Sequence, residues 1–182
     1  MTQQRTQGGG RSHHGREREK DREFDQRILD LARVTRVTAG GKRMRFRAAV
    51  ILGDHKGKVG FGVAKAGDVT AAVAKATTQA RKKMTNIVMQ NNTIPHGVRS
   101  KYGAAIVILK PAPLGTGIKA GGAMRVIFEL AGIPNVVGKI LGSKNKINNT
   151  RATILALQEL RTLKPRREKI NQETTPEGAS KK

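Results

Sequence analysis

From Arg43 to Ala48 cationic and apolar residues alternate one for one. Arg43, Arg45 and Arg47 fall on one side, and Met44, Phe46 and Ala48 on the other. A period of two marks a strand with two unlike faces. A strand over residues 31–38 precedes it, joined through Ala39-Gly40-Gly41-Lys42, where paired glycines take positive φ at little cost. After a turn at Gly53–Gly57, a third strand places Val59, Phe61 and Val63 on one face. Lys58, Gly60, Gly62 and Ala64 form the other, which is low enough for a second backbone to come close. Asp68 suits the N-cap of a helix reaching about Met84, with Val69, Ala72, Val73, Ala76 and Ala80 as its narrow packing stripe. Arg81-Lys82-Lys83 at its end either complement the helix dipole or meet an RNA.

The pattern changes near Asn91–Pro95. A hairpin follows, with arms 94–99 and 104–110 and a turn at 100–103. The segment GTGIKAGGAMR (Gly115–Arg125) leads into a helix ending near Ala131, which Gly132 and Pro134 stop. Residues 136–141 read as a strand. A last helix spans about 148–164, with Ile147, Ile154, Leu157 and Leu160 as its apolar stripe. Residues 1–26 and 165–182 are polar and read as disordered tails. The expected fold class is α+β: a first domain over 27–92, a second over 93–164, each a sheet covered by helices.

Charge adds the partner class. The 182 residues carry a formal charge of +23, and residues 27–164 alone hold 25 Lys and Arg against 5 Asp and Glu. So strong a field, carried by the folded body and not by the tails, calls for a polyanion. There is no cysteine, so disulfides and thiolate-metal sites are excluded. The N-terminus lacks the apolar stretch of a secretory signal, and no apolar run approaches a membrane span.

Catalytic chemistry finds few candidates. The body's carboxylates, Asp30, Asp54, Asp68, Glu129 and Glu159, are scattered, and the histidines lack metal-ligand spacing, so neither catalytic, metal nor cofactor residues are assigned. Gly115–Ala120 fits a loose dinucleotide fingerprint, but Pro111 and Pro113 lengthen the connection and the acidic partner is missing. The segment is also loosely similar to the phosphate loop of small-metabolite kinases, without its serines. A plain glycine turn and a backbone nest for RNA or protein docking remain open. KVGFGV (residues 58–63) is similar to an aromatic RNA-stacking motif, yet Val63 stands where the second aromatic belongs, and Phe61 reads as core. A basic strand face with few aromatics suits folded RNA read by phosphate and shape.

Taken in order, KVGFGVAKA, PAPLGTGIKAGGAMRVIFELAG and GSKNKINNTRAT resemble the bacterial small-subunit ribosomal protein S5 family over residues 27–164. The resemblance implies a structural, non-enzymatic protein. Its first domain would be like a double-stranded-RNA-binding fold, its second a left-handed βαβ domain. It implies small-subunit ribosomal RNA, proteins S4 and S8, and messenger RNA on its way into the ribosome as partners. It also implies a cytoplasmic location in the small subunit, a part in assembly, and an influence on decoding accuracy. Arg33, Arg36 and Lys42 match the family's RNA-reaching hairpin loop, with Ala39 where a relative can carry lysine. Gly117 and Arg125 match the region facing S4. Arg43, Arg45, Arg47, Lys56 and Lys58 are the expected electrostatic anchors, and Lys119 a further RNA contact. The competing readings are a phosphate-transferring enzyme and an RNA or DNA binder outside the ribosome.

Overall fold

The computed structural model describes residues 24–162; most of the two expected tails lies outside them. Eight strands and three helices follow in the order β1 (Asp25–Thr38), β2 (Gly41–Gly53), β3 (Lys58–Ala66), α1 (Val69–Lys82), β4 (Met84–Asn86), β5 (Val98–Tyr102), β6 (Ala105–Pro111), β7 (Ile118–Lys119), α2 (Gly122–Ala131), β8 (Val136–Leu141) and α3 (Lys146–Gln158). They form two four-stranded sheets, β1-β2-β3-β4 and β5-β6-β8-β7. The first is a pure antiparallel meander. In the second, β7 and β8 run parallel with α2 crossing between them. The α+β class is as expected.

The two faces of the first sheet have different neighbours. Ala48, Val50, Leu52 and Ala64 pack with Ala72, Ala76 and Ala80 of α1. Gly60 and Gly62 lie under that helix so closely that a Cβ on Gly62 would come 2.0 Å from the Ala76 carbonyl oxygen. This is the low face anticipated from the glycines. The opposite face carries Ala49, Ile51, Val59 and Phe61, and these share one continuous core with α2, α3 and the inner side of the second sheet. Helices α2 and α3 thus fill the space between the sheets. The outer side of the second sheet stays open, with Arg99, Lys101, Lys110 and Lys139 exposed on it.

Four differences from the sequence reading have local causes. Strand β1 starts at Asp25, six residues early, because a register shift between Ile28 and Asp30 breaks the period of two that marks a strand. Two short strands, β4 and β7, are too brief to show a period at all. The second-domain hairpin is shorter than expected, turning at Gly103-Ala104. Helix α3 begins at Lys146, because the Asn145 side chain caps it by accepting from Ile147 N. It ends at Gln158, and beneath the expected apolar stripe it buries Asn149, Thr150 and Thr153. The two threonine hydroxyls donate back to the carbonyls of Lys146 and Asn149, so they pack as small, satisfied groups.

Helix α1 is capped as expected: Thr70 N and the Thr70 hydroxyl both donate to the Asp68 carboxylate. The Thr70 hydroxyl first, and the Val69 amide next, hold the Asp68 carboxyl below the usual carboxylate range. A carboxyl lowered on folding stabilises the helix above the ordinary carboxylate pKa and loses that contribution as pH falls through the lowered value. Asp68→Ala should therefore flatten this part of an acid titration followed by helical circular dichroism. Gly62→Ala should lower unfolding free energy by at least about 2 kcal/mol, since backbone and not a flexible side chain blocks the methyl. Gly67→Ala, with nothing within 4 Å, should be near neutral in the same denaturation assay.

Candidate nucleic-acid interface

Strand β3 pairs with β2 only from Phe46 onward, whereas β1 and β2 remain paired out to Thr38 and Gly41. The end of that hairpin is therefore a two-stranded arm standing about 17 Å clear of the sheet, at 3.4 Å per residue. Its turn is tied by the Thr38 hydroxyl donating to the Gly41 carbonyl at 3.0 Å, and Gly41 supplies φ of 135°. Residues 31–53 contain no acidic side chain.

The register assigns the cations to faces. Arg36 stands directly opposite Arg43, and Arg45 follows on the same side. Arg33 and Lys42 lie on the other side with Val37 and Met44, which are 72% and 52% exposed. All five cations are exposed. Like charges placed directly across a strand pair repel one another. The arm has no core to offset that, so its charge pattern makes sense against a polyanion.

Arg47 is set apart. It sits at the root of the arm, where its guanidinium donates to Asp30 at 3.1 Å while Lys146 reaches the other carboxylate oxygen at 3.5 Å. Its Nε is buried with no partner among the described residues. The register shift in β1 brings Asp30 opposite Ala49, onto the same side as Arg47. The alternating pattern groups Arg43, Arg45 and Arg47; the structure gives the third a different neighbourhood.

Lys56 and Lys58 lie at the far end of β2 from the arm, in and after the turn that joins β2 to β3. Asp54 shapes this turn by accepting from the amides of Lys56 and Lys58, both at 2.8 Å. The turn docks on the last carbonyls of α2: His55 N donates to Leu130 O at 3.0 Å and Gly57 N to Ala131 O at 2.9 Å. Arg125, on the same helix, donates through Nε to Glu129 at 2.9 Å, and Arg27 of β1 takes the other Glu129 oxygen at 3.2 Å. The Arg125 side chain remains 61% exposed.

The glycine segment is built differently from a phosphate cradle. Gly115 and Gly117 have φ of 86° and 72°, and open space lies where their Cβ atoms would be. However, Thr116 N donates to Pro113 O, and Gly117 N donates to the Asn135 side chain at 3.1 Å. Ile118 and Lys119 then pair with β8. The glycines precede a strand and not a helix, and the Thr116 and Gly117 amides are committed internally, which does not fit a dinucleotide fingerprint or a nest built on those two amides. Lys119 is exposed beside this loop.

Buried Asn135 is the residue the sequence reading missed. It holds the Gly117 amide, while its carbonyl accepts from the Thr93 hydroxyl at 2.7 Å, and that hydroxyl accepts from Ala112 N at 3.2 Å. The turn before Thr93 has Asn91 and Asn92 at φ of 51° and 59°, conformations that asparagine tolerates. Consecutive asparagines before a threonine were the available signal. Among the described residues no group of His, Cys, Asp and Glu could hold a metal, and no helix is long and apolar enough to cross a membrane.

Comparison with known families places this geometry. Residues 24–88 match the ribosomal protein S5 N-terminal domain, and residues 100–173 its C-terminal domain. The chain is 51% identical over 146 residues to small ribosomal subunit protein uS5c of Guillardia theta, covering 80% of this chain and 86% of that protein. It is 51% identical over 142 residues to uS5 of Gloeobacter violaceus, covering 78% of this chain and 64% of that one. It is 45% identical over 153 residues to uS5 of Acaryochloris marina, covering 84% and 86%. The chain belongs to the ribosomal protein S5 family, structural rather than enzymatic proteins of the small ribosomal subunit.

Proposed function

We propose that the chain binds small-subunit ribosomal RNA chiefly through the β1–β2 arm. The observation that carries this reading is the arm itself: Arg33, Arg36, Lys42, Arg43 and Arg45 are exposed on both faces of an acid-free ribbon that, among the described residues, no third strand supports. A ribbon with cations on both sides can lie between two phosphate strands and neutralise each. Its aromatic poverty favours contacts to phosphate and groove shape over base stacking. Lys56, Lys58 and Lys119 act as secondary contacts on other parts of the surface. Arg47 acts by holding the arm's root.

Within the subunit we assign the two units 27–92 and 93–164 different partners. The first grips RNA. The second presents Gly117 and Arg125 to protein S4 and another surface to S8. This arrangement supports assembly, translational accuracy and the path by which messenger RNA enters. Arg125 suits a protein contact: it is exposed, but Glu129 offsets part of its charge, which makes it less of a phosphate anchor than the arm cations.

Two measurements test the reading. Replacing Arg43 and Arg45 together by Gln should lower the slope of log affinity against log salt by about 1.4 to 1.8, at 0.7 to 0.9 per phosphate contact. Arg47→Gln should leave that slope unchanged and lower stability instead. An unaltered slope in the double variant would remove the arm's role. Arg125→Ala should change misreading in a reporter assay while small subunits still assemble; unchanged misreading would remove the interface role.

A further inference from the structure

The first sheet ends in an open edge. Strand β4 pairs with β3 only at Lys58–Gly60, and among the described residues no strand lies beyond β3 from Phe61 to Ala66. The Val63 amide points outward there and donates to the Gln79 side chain at 3.2 Å. Alternation along a strand turns the peptide groups of Phe61 and Lys65 the same way. A side-chain amide from α1 is thus standing where a neighbouring strand's carbonyl would be.

This edge is the floor of a trough with a helix on each side. Helix α1 contributes Lys75, Thr78, Gln79 and Lys82, which share one helical stripe. Helix α3 contributes Arg151, Ile154, Leu155 and Gln158 from the other side. Two adjoining cavities that share Val63 and Gln79, of about 440 and 690 Å³, run along it. Their character differs end to end. One is basic, with Lys65, Lys75 and Lys82. The other is partly apolar, with Ile154 and Leu155 beside Lys83 and Arg151. Among the described residues no carboxylate lines either cavity.

We propose that this trough receives an extended acidic segment of a partner protein, which adds to β3 as a further strand. An incoming strand replaces the Gln79 contact and offers both donors and acceptors to the open edge; a phosphate backbone offers chiefly acceptors. Alternate side chains of that strand then meet the two walls, carboxylates facing the lysines and an apolar residue reaching Leu155. Base stacking is disfavoured. Phe61 is buried, and the Tyr102 ring is covered by the Arg151 guanidinium at 5.3 Å, which also donates to its hydroxyl at 2.6 Å. A second copy of this chain, at +23, is repelled by the same lysines.

The proposal rests on the ribosomal reading, and assembled small subunits test it. A photoreactive benzoylphenylalanine is placed at exposed Thr78, and in a separate variant at Leu155. Irradiated subunits should give cross-links from both positions to one acidic segment of another protein, a few residues apart. Lys65→Glu combined with Lys75→Glu should reduce both at least tenfold. Cross-links to RNA, to a second copy of this chain or to unrelated segments overturn the proposal. So does an absence of cross-links in subunits that contain the labelled chain. Co-sedimentation of that chain with small subunits is scored separately, so failure of the ribosomal reading is distinguishable from failure of the docking site.

Discussion

The turn at residues 54–57 docked on the end of α2 is the contact on which the molecule's shape depends. A helix leaves its last carbonyls without partners, and here two amides of the turn supply them, at His55 and Gly57. The His55 ring adds a bond from Nδ1 to the Glu129 carbonyl at 2.9 Å. The approach is so close that a Cβ on Gly53 would lie 2.2 Å from the Leu130 oxygen, and one on Gly132 would lie 2.1 Å from the His55 oxygen. Both positions must therefore be glycine, and Gly132 must also adopt φ of 75° to end the helix. Because the turn belongs to the first sheet and the helix to the second unit, this contact sets the angle between them. Ile51, Phe61, Ile127 and Phe128 share one buried core beside this contact.

A rigid body of this kind lets the arm do without a core of its own. Isolated two-stranded ribbons are marginally stable in water. Here β1 and β2 continue into the sheet, where Val50 and Ile51 are fully buried, so the paired register is fixed at the root and propagates outward. The arm can then spend its side chains on charge. The cost is repulsion between Arg36 and Arg43, which the proposed anionic partner would offset.

Much of this was legible in the sequence, for identifiable reasons. The period of two at residues 43–48, the glycines at 60 and 62 and the alanines at 72, 76 and 80 each encode a local rule, and each element lies as those rules require. Phe61 fell on the apolar side of its strand and is core. What was not legible depends on contacts between distant segments. Nothing near Arg47 signals that Asp30 will meet it and share itself with Lys146, and nothing near Gly117 signals that Asn135 will take its amide. The arginine alternation was correct as geometry. It was silent on how far β3 would extend beside it, and that extent separates arm from root.

Strand β1 is where the two proposed interfaces come together. Its Asp30 holds Arg47 and Lys146, tying the arm's root to the first turn of α3, and its Arg27 shares Glu129 with Arg125. These pairs are partly or largely solvent-exposed, and such ion pairs contribute little individually. They cannot by themselves transmit a change from RNA to a protein neighbour. The rigid elements can, because β1 also packs through Leu29 into the core beneath α2. A displacement of the first sheet relative to α2 would have to open the glycine contacts at 53 and 132, where backbone meets backbone. If both proposed faces are occupied, the link between them is the fixed geometry of these elements and not the exposed ion pairs.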